Sequence, residues 1–316
     1  TEIYTLSLHD ALPIFLRACS SSSACAADMD GIVSILKPPG MTSSNVVYDV
    51  RKLFLQKRAG HLGTLDPAAS GVLPVCLGRA TRLFDLLVDK DKEYRFEAAF
   101  GIKTDTQDAF GAVTGRESRR VEPDELASVL PEFLGAQMQT ASAYSALKVY
   151  GRKMYDLARA GERIEPRARE IRIDELELIE QTGENRFLLR TVCSRGTYIR
   201  SLCESIAERL GTVAYVSFLL RTRSGPFTID RARTISELGA AKDEGALATC
   251  VVPIEEAVSF LPVLELEPDR VTPTKNGLDT HLPNEPDGLV RAYGAGAFLG
   301  VGEVSQGRFR LTLHLY

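Results

Sequence analysis

Asp66 is the residue best placed by its neighbours to do chemistry. In Gly60-His61-Leu62-Gly63-Thr64-Leu65-Asp66-Pro67-Ala68-Ala69-Ser70-Gly71-Val72-Leu73-Pro74-Val75-Cys76-Leu77-Gly78, this carboxylate stands between glycine-loosened backbone and a proline, ahead of an apolar run. Gly60, Gly63 and Gly71 permit close backbone approach or positive φ, while Pro67 fixes the chain just after the acid. Residues 72–77 read as a short buried strand, with Pro74 implying an edge or a bulge. An acid held on a stiff loop against such a strand suits general-base or nucleophilic work. The same residues also fit a plain turn, with Asp first and Pro second.

Other chemistries find little support. The six cysteines (Cys19, Cys25, Cys76, Cys193, Cys203, Cys250) form no CxxC pair, and with four histidines no metal-ligand spacing appears. Zinc-deaminase chemistry is excluded by the missing H-x-E and P-C-x-x-C ligands. A retaining glycoside hydrolase needs two carboxylates flanking a sugar bond, and the motif offers one. Free cysteines in apolar settings fit a reducing cytoplasm.

The chain of 316 residues exceeds one ordinary domain, and its 44% hydrophobic and 25% charged residues are those of a soluble globular protein. No apolar run is long enough to span a bilayer. The formal charge of −4 is carried by the tail, since residues 251–316 hold five basic and nine acidic side chains. Basic groups cluster before that tail. Arg51, Lys52, Lys57 and Arg58 run up to the Asp66 loop, and Arg79 and Arg82 follow it. A second group runs from Lys148 to Arg172. Such clusters are either solvated faces or phosphate contacts, and their place beside the motifs favours phosphate contact.

The elements that must position Asp66 can be read from periodicity. A strand is expected at 31–36, then a helix through Val46, Val50 and Phe54 capped by Ser43 or Ser44. A second helix is expected at 80–88. Residues 94–102 alternate as a strand, with Tyr94, Phe96, Ala98 and Phe100 on one face. Residues 103–115 read as a loop able to move, and 122–134 as a helix. Paired strands are expected at 171–179 and 187–193. A helix at 197–210, ended by Gly211, precedes a strand at 213–223. After a linker near Pro253 come a helix at 268–275 and strands at 288–293, 297–303 and 308–315. Mixed strands and helices without βαβ repetition argue for an α+β fold.

The Asp66 stretch resembles the catalytic motif of the TruB family, the tRNA pseudouridine-55 synthases, whose usual form is GHxGTLDPxAxGVLPVxLG. Lys37-Pro38-Pro39-Gly40, Lys92-Glu93-Tyr94, Ser145-Ala146-Leu147-Lys148 and Cys193-Ser194-Arg195-Gly196-Thr197-Tyr198-Ile199-Arg200 are similar to further family segments, in family order over residues 30–225. The resemblance implies a pseudouridine-synthase fold, with a mixed, mainly antiparallel sheet flanked by helices and a small C-terminal PUA-like β-barrel. It implies a catalytic domain at 29–250 with an RNA-binding insertion at 136–166, and a PUA-like domain at 251–316. Residues 1–28 are expected to be a non-native or disordered leader, with Met29 as the start.

The resemblance also implies roles. Asp66 is the catalytic carboxylate, acting either as a nucleophile or as a base that forms a glycal. Arg200 pairs with it, Tyr94 stacks on the target uracil, Tyr198 is a second active-site tyrosine and Leu219 is a pocket wall. His61 fills space vacated by flipped nucleotides, and Lys37 supports the loop. Isomerising uridine oxidises nothing and loses no group, so neither cofactor nor metal is expected. The implied partner is the T-arm of tRNA, bound by a cytoplasmic monomer with no membrane and no obligate protein partner. A tRNA-folding chaperone with incidental catalysis shares the basic clusters and His61, but would not require Asp66.

Overall fold

The computed structural model describes residues 29–140 and 168–316, with the backbone of two short strands at 148–149 and 152–153. The leader at 1–28 and all of the expected insertion after Thr140 lie outside the described side chains. A nine-stranded sheet organises the larger part of the chain. Its strands are β1 (Gly31–Lys37), β2 (Ala59–His61), β3 (Ser70–Leu77), β4 (Lys92–Phe100), β7 (Gly135–Thr140), β10 (Ala168–Gly183), β11 (Arg186–Cys193), β12 (Ala214–Ser224) and β13 (Phe227–Thr228). Two hairpins stand apart, β5 (Ile102–Thr104) with β6 (Val113–Arg116), and β8 (Lys148–Val149) with β9 (Arg152–Lys153).

The order β1-β3-β12-β4-β11-β10-β7, with β2 added to β3 and β13 to β12, is antiparallel except where β3 meets β12. That parallel contact spans only Leu220 opposite Ser70 and Arg221 opposite Gly71. The sheet is therefore mixed and mainly antiparallel, and helices cover it, as an α+β chain requires.

One face carries Tyr94 and Leu219, which pack into two apolar clusters at once. In the first, Phe96 and Phe187 meet Ile199, Leu202 and Ile206 of the helix Ile199–Arg209. In the second, Ile35, Leu73 and Val75 meet Val46 and Val50 of the helix Ser43–Leu53 and Leu65 of the Asp66 loop. The alternate residues Ile32, Val72 and Cys76 pack on the other face with Leu83, Phe227 and Val258. Burial on both faces explains the unbroken apolar run of β3.

Several expectations are corrected by tertiary contacts. Pro74 lies on no edge, because β3 has β1 on one side and β12 then β2 on the other. Its carbonyl accepts from Leu62 N–H at 2.8 Å, and its missing N–H faces the gap between the two neighbours on that side. The first helix is capped by Thr42, whose side chain accepts from Asn45 N–H, and not by Ser43 or Ser44. The helix expected at 80–88 is a 3-10 turn, Gly78–Leu83, followed by the short helix Phe84–Val88. The helix expected at 197–210 begins at Ile199, leaving Tyr198 as its N-cap residue.

After Val252, which exchanges two backbone hydrogen bonds with Ile32 at 2.8 and 2.9 Å, Ile254 and Val258 enter the core cluster of Val72. A second sheet follows, ordered β14 (Val263–Leu266), β16 (Gly288–Gly294), β17 (Ala297–Ser305), β18 (Arg308–His314) and β15 (Thr280–His281). Its own core is closed by residues such as Leu264, Val290 and Phe309, while Val301 and Leu315 reach the Val72 cluster.

Two glycines separate backbone strain from steric exclusion. A Cβ on Gly71 (φ +114°) would stand 2.2 Å from the Arg221 carbonyl oxygen, whereas one on Gly135 (φ +89°) meets nothing within 4 Å. Gly135→Ala is expected to lose about 1–2 kcal/mol of stability, from the left-handed backbone alone. Gly71→Ala is expected to lose more than about 3 kcal/mol, because the β3–β12 contact must open. Urea titration of both variants checks the difference.

Candidate active site

Asp66 opens a turn closed by the Ala69 N–H on the Asp66 carbonyl at 3.1 Å. The turn reading and the functional reading thus describe the same residues. Two side chains, one from the first strand and one from the first helix, hold this turn together with a backbone N–H between them. The Lys37 ammonium donates to the carbonyls of Pro38 and Met41, both at 2.7 Å, and of Pro67 at 3.4 Å. Gly40 N–H also reaches the Pro67 carbonyl, at 2.8 Å. Ser43 is buried, and its hydroxyl donates to the Leu65 carbonyl at 3.0 Å and accepts from the Leu65 N–H at 2.9 Å. The residue expected as a cap is therefore a clamp on the loop.

The Asp66 carboxylate meets Arg200 at 2.8 Å. Arg200 is only 4% exposed and Asp66 is 32% exposed, so the guanidinium is buried behind a carboxylate that still faces solvent. The other arm of Arg200 donates to the Thr106 carbonyl at 2.8 Å and lies 3.9 Å from the Asp108 carboxylate. Residues 103–115, expected as a loop able to move, form the β5–β6 hairpin, whose tip accepts from Val216 N–H through the Gln107 carbonyl at 3.0 Å. Asp66, Arg200 and Leu219 share a cavity of about 210 Å³ with Asp108, Phe110 and Phe218.

Arg221 is the second buried guanidinium, 1% exposed. It donates to the carbonyls of Val72 at 2.7 Å and Gly63 at 3.2 Å. Burial pushes the Tyr94 phenol up, with Arg221 opposing the shift. Burial pulls the Lys37 ammonium down to about 8, with Asp66 opposing and Arg221 adding to the shift. Lys92, buried beneath Tyr94 on the same strand, falls to about 8 by burial and by the Arg221 charge. Two buried cations, Arg200 by direct pairing and Lys37 through its charge, therefore act on one accessible carboxylate.

Of the expected site residues, Asp66, Arg200 and Leu219 line the cavity, whereas Lys37, Tyr94, His61 and Tyr198 stand outside its lining. His61 sits in β2 opposite Val75, and its Nδ1 is buried without a hydrogen-bond partner among the described residues. Burial, then the Arg221 charge, lowers its pKa below the ordinary 6.5, so the imidazole is neutral. Tyr198 immediately precedes Arg200's helix, and its ring lies under the Arg169 guanidinium at 4.5 Å. Gln139 fastens its backbone, donating to the Tyr198 carbonyl at 3.0 Å and accepting its N–H at 2.7 Å. Of the clustered basic residues, Arg79 is paired with Asp30 and Arg172 with Asp174 and Asp91, so these charges are partly spent within the fold.

Sequence reasoning missed Arg221, Asp108, Ser43 and Gln139 as site components. Arg221 had a signal, a charge two residues after Leu219 at the end of the apolar run Phe218-Leu219-Leu220, which places it on the face of Leu219. Asp108 and Gln139 had none, because their partners are distant in sequence and polar residues in loops and edge strands are ordinary.

Solved structures sharing this architecture place the chain in a class. An H/ACA RNP bound to a substrate RNA containing 2′-deoxyuridine contains a chain that superposes with a TM-score of 0.67 at 27% identity, covering 89% of this chain and 79% of that one. A Cbf5-Nop10-Gar1 complex gives 0.67 at 28% identity, over 90% and 79%. The class is that of the pseudouridine synthases. Residues 51–199 match the model of the TruB family pseudouridylate synthase N-terminal domain, and residues 200–259 that of the tRNA pseudouridylate synthase B C-terminal domain. A tRNA pseudouridine synthase B of Pelotomaculum thermopropionicum is 41% identical over 89% of this chain and 93% of its own length. One from Geobacillus thermodenitrificans is 41% identical over 83% and 90%. The chain belongs to the TruB family.

The clamp and the buried lysine each give a test. Ser43→Ala leaves both backbone groups of Leu65 without their buried partner and is expected to lose about 2 kcal/mol or more in urea unfolding. For Lys37 the folded pKa of about 8 lies below the ordinary 10.5, so between these values the unfolded chain holds the extra proton. Stability then rises with pH across that window. The stability of wild type relative to Lys37→Met is expected to climb from pH 8 to pH 10.5 in parallel urea titrations.

Proposed function

We propose that this chain isomerises uridine to pseudouridine at position 55 in the T-loop of tRNA. The observation that carries the reading is the Asp66 carboxylate held at 2.8 Å by a buried Arg200 and open to a cavity. The N1–C1′ bond breaks, the base turns, and C1′ rejoins at C5; the C5 proton leaves and N1 takes one up. Asp66 is the carboxylate at the ribose and base, with Arg200 keeping it aimed. Leu219 walls the pocket and Tyr94 offers the base a flat face. The target base must first be extruded, at a cost of a few kcal/mol, least for an unpaired base. His61, neutral and with an unpartnered Nδ1, would occupy the vacated stack. Tyr198 would complete the base site from the turn before Arg200.

No cofactor is needed by this balance of atoms. Residues 29–250 would form the catalytic domain and 251–316 a PUA-like domain, whose acidic balance suits packing or a modest end contact more than a grip on phosphates. No helix of the described residues is long and apolar enough to cross a membrane. We place the chain in the cytoplasm as a monomer acting on tRNA without an obligate protein partner. A tRNA-folding chaperone with incidental catalysis is the second reading, favoured by the basic groups around the loop.

Tritium at C5 of uridine in a tRNA transcript separates the two. Wild type is expected to release it stoichiometrically, and release should vanish with Asp66→Asn or when only the T-loop uridine is replaced. An Asp66→Asn protein that binds RNA yet still releases tritium removes Asp66 from the reaction; wild type that binds without release leaves the chaperone.

A further inference from the structure

The cavity that ends at Asp66 and Arg200 is lined at its outer part by two large aromatic side chains, Phe110 and Phe218. They are 64% and 45% exposed. Neither belongs to an apolar core cluster, and neither pairs with another ring among the described residues. Exposed phenylalanines at a cavity lined by carboxylates gain nothing for folding, so their placement asks for a ligand with a flat apolar face.

Both rings stand on backbone that is fixed. Phe110 follows Asp108, whose carboxylate accepts from the Phe110 N–H at 3.0 Å and the Thr106 hydroxyl at 2.6 Å. Gly111 then turns where a Cβ would stand 2.4 Å from the Thr106 hydroxyl. Phe218 lies at a bulge of β12, where the register to β4 shifts between Val216 and Phe218. Bulges re-aim side chains beside active sites, and this one lets the consecutive residues from Val216 to Leu219 all border the cavity. Asp108 bridges to Val216, so the two aromatic segments are joined at their bases.

We propose that Phe110 and Phe218 form a stacking site for the unpaired nucleobase adjacent to the uridine that enters the cavity. The proposal rests on the isomerase reading for its ligand. The nucleotides on either side of an inserted uridine are covalently tied to it and must lie at the cavity mouth. There the rings supply faces that any base can stack upon. Leu219 lines the same cavity and, on the isomerase reading, walls the reacting base, so the exposed pair adds contact with a neighbour.

The test is a coupling between ring and base, read as equilibrium binding so that no turnover is required. The T-arm stem-loop is prepared intact and with an abasic nucleotide on either side of the target uridine. By fluorescence anisotropy, Phe110→Ala and Phe218→Ala are each expected to weaken binding of intact RNA about ten-fold. Phe→Tyr at either site should retain it, and thermal melting of every variant should match wild type. With the RNA that lacks the stacked base, the alanine variants should bind as wild type does. Equal weakening on all RNAs, or none on any, overturns the proposal. Tritium release by wild type, measured on the intact RNA, decides the isomerase reading separately: coupling without release keeps the stacking site and removes the isomerase, and release without coupling does the reverse.

Discussion

A guanidinium taken out of water must find an acceptor for each arm or the fold does not tolerate it. Arg221 meets that demand by drawing together β3 through the Val72 carbonyl and the loop before Asp66 through the Gly63 carbonyl. The two-residue parallel contact of β3 with β12 exists because Gly71 lets the Arg221 backbone approach where no Cβ fits. One cation and one glycine therefore fix the register on which the position of Asp66 depends.

The charge distribution follows from this arrangement. Arg200, Arg221, Lys37 and Lys92 are all buried, whereas Asp66, the carboxylate among them, remains about one third exposed. Lys37 spends its hydrogen bonds on the carbonyls of Pro38, Met41 and Pro67 and Arg221 on those of Val72 and Gly63, while Arg200 serves both the Thr106 carbonyl and the Asp66 carboxylate. Asp108 lines the cavity beside Asp66, so Arg200 faces two carboxylates there, at 3.9 and 2.8 Å. Partial exposure spares Asp66 the full penalty of burial and leaves one side of it free for a ligand.

Much of the site was legible in the chain. The glycine–proline setting of Asp66, the turn it opens, the alternation that puts Tyr94 and Phe96 on one face, and the strands from β10 to β12 all follow from short-range rules that the folded chain obeys. Where those rules failed, a tertiary partner took over. Ser43 is a better cap by type than Thr42 is by need, yet Leu65 claims its hydroxyl. Pro74 signals an edge, yet the neighbouring strand changes at that residue, so no ladder bond is lost.

Local chemistry thus determined the stiff turn at Asp66, the apolar strand beneath it and the α+β class, because each depends on residues within a few positions of one another. The family resemblance paired Arg200 with Asp66, and the two meet at 2.8 Å. The tertiary structure alone decided the rest: Asp108 approaches Arg200, and Gln139 and Arg221 reach their partners, only across strands or hairpins. Such contacts leave no periodic trace, since a polar side chain in a loop or strand looks the same whether it meets water or a buried acceptor. Only the folded arrangement of strands, helix and hairpin brings Asp66, Asp108 and Arg200 to one cavity.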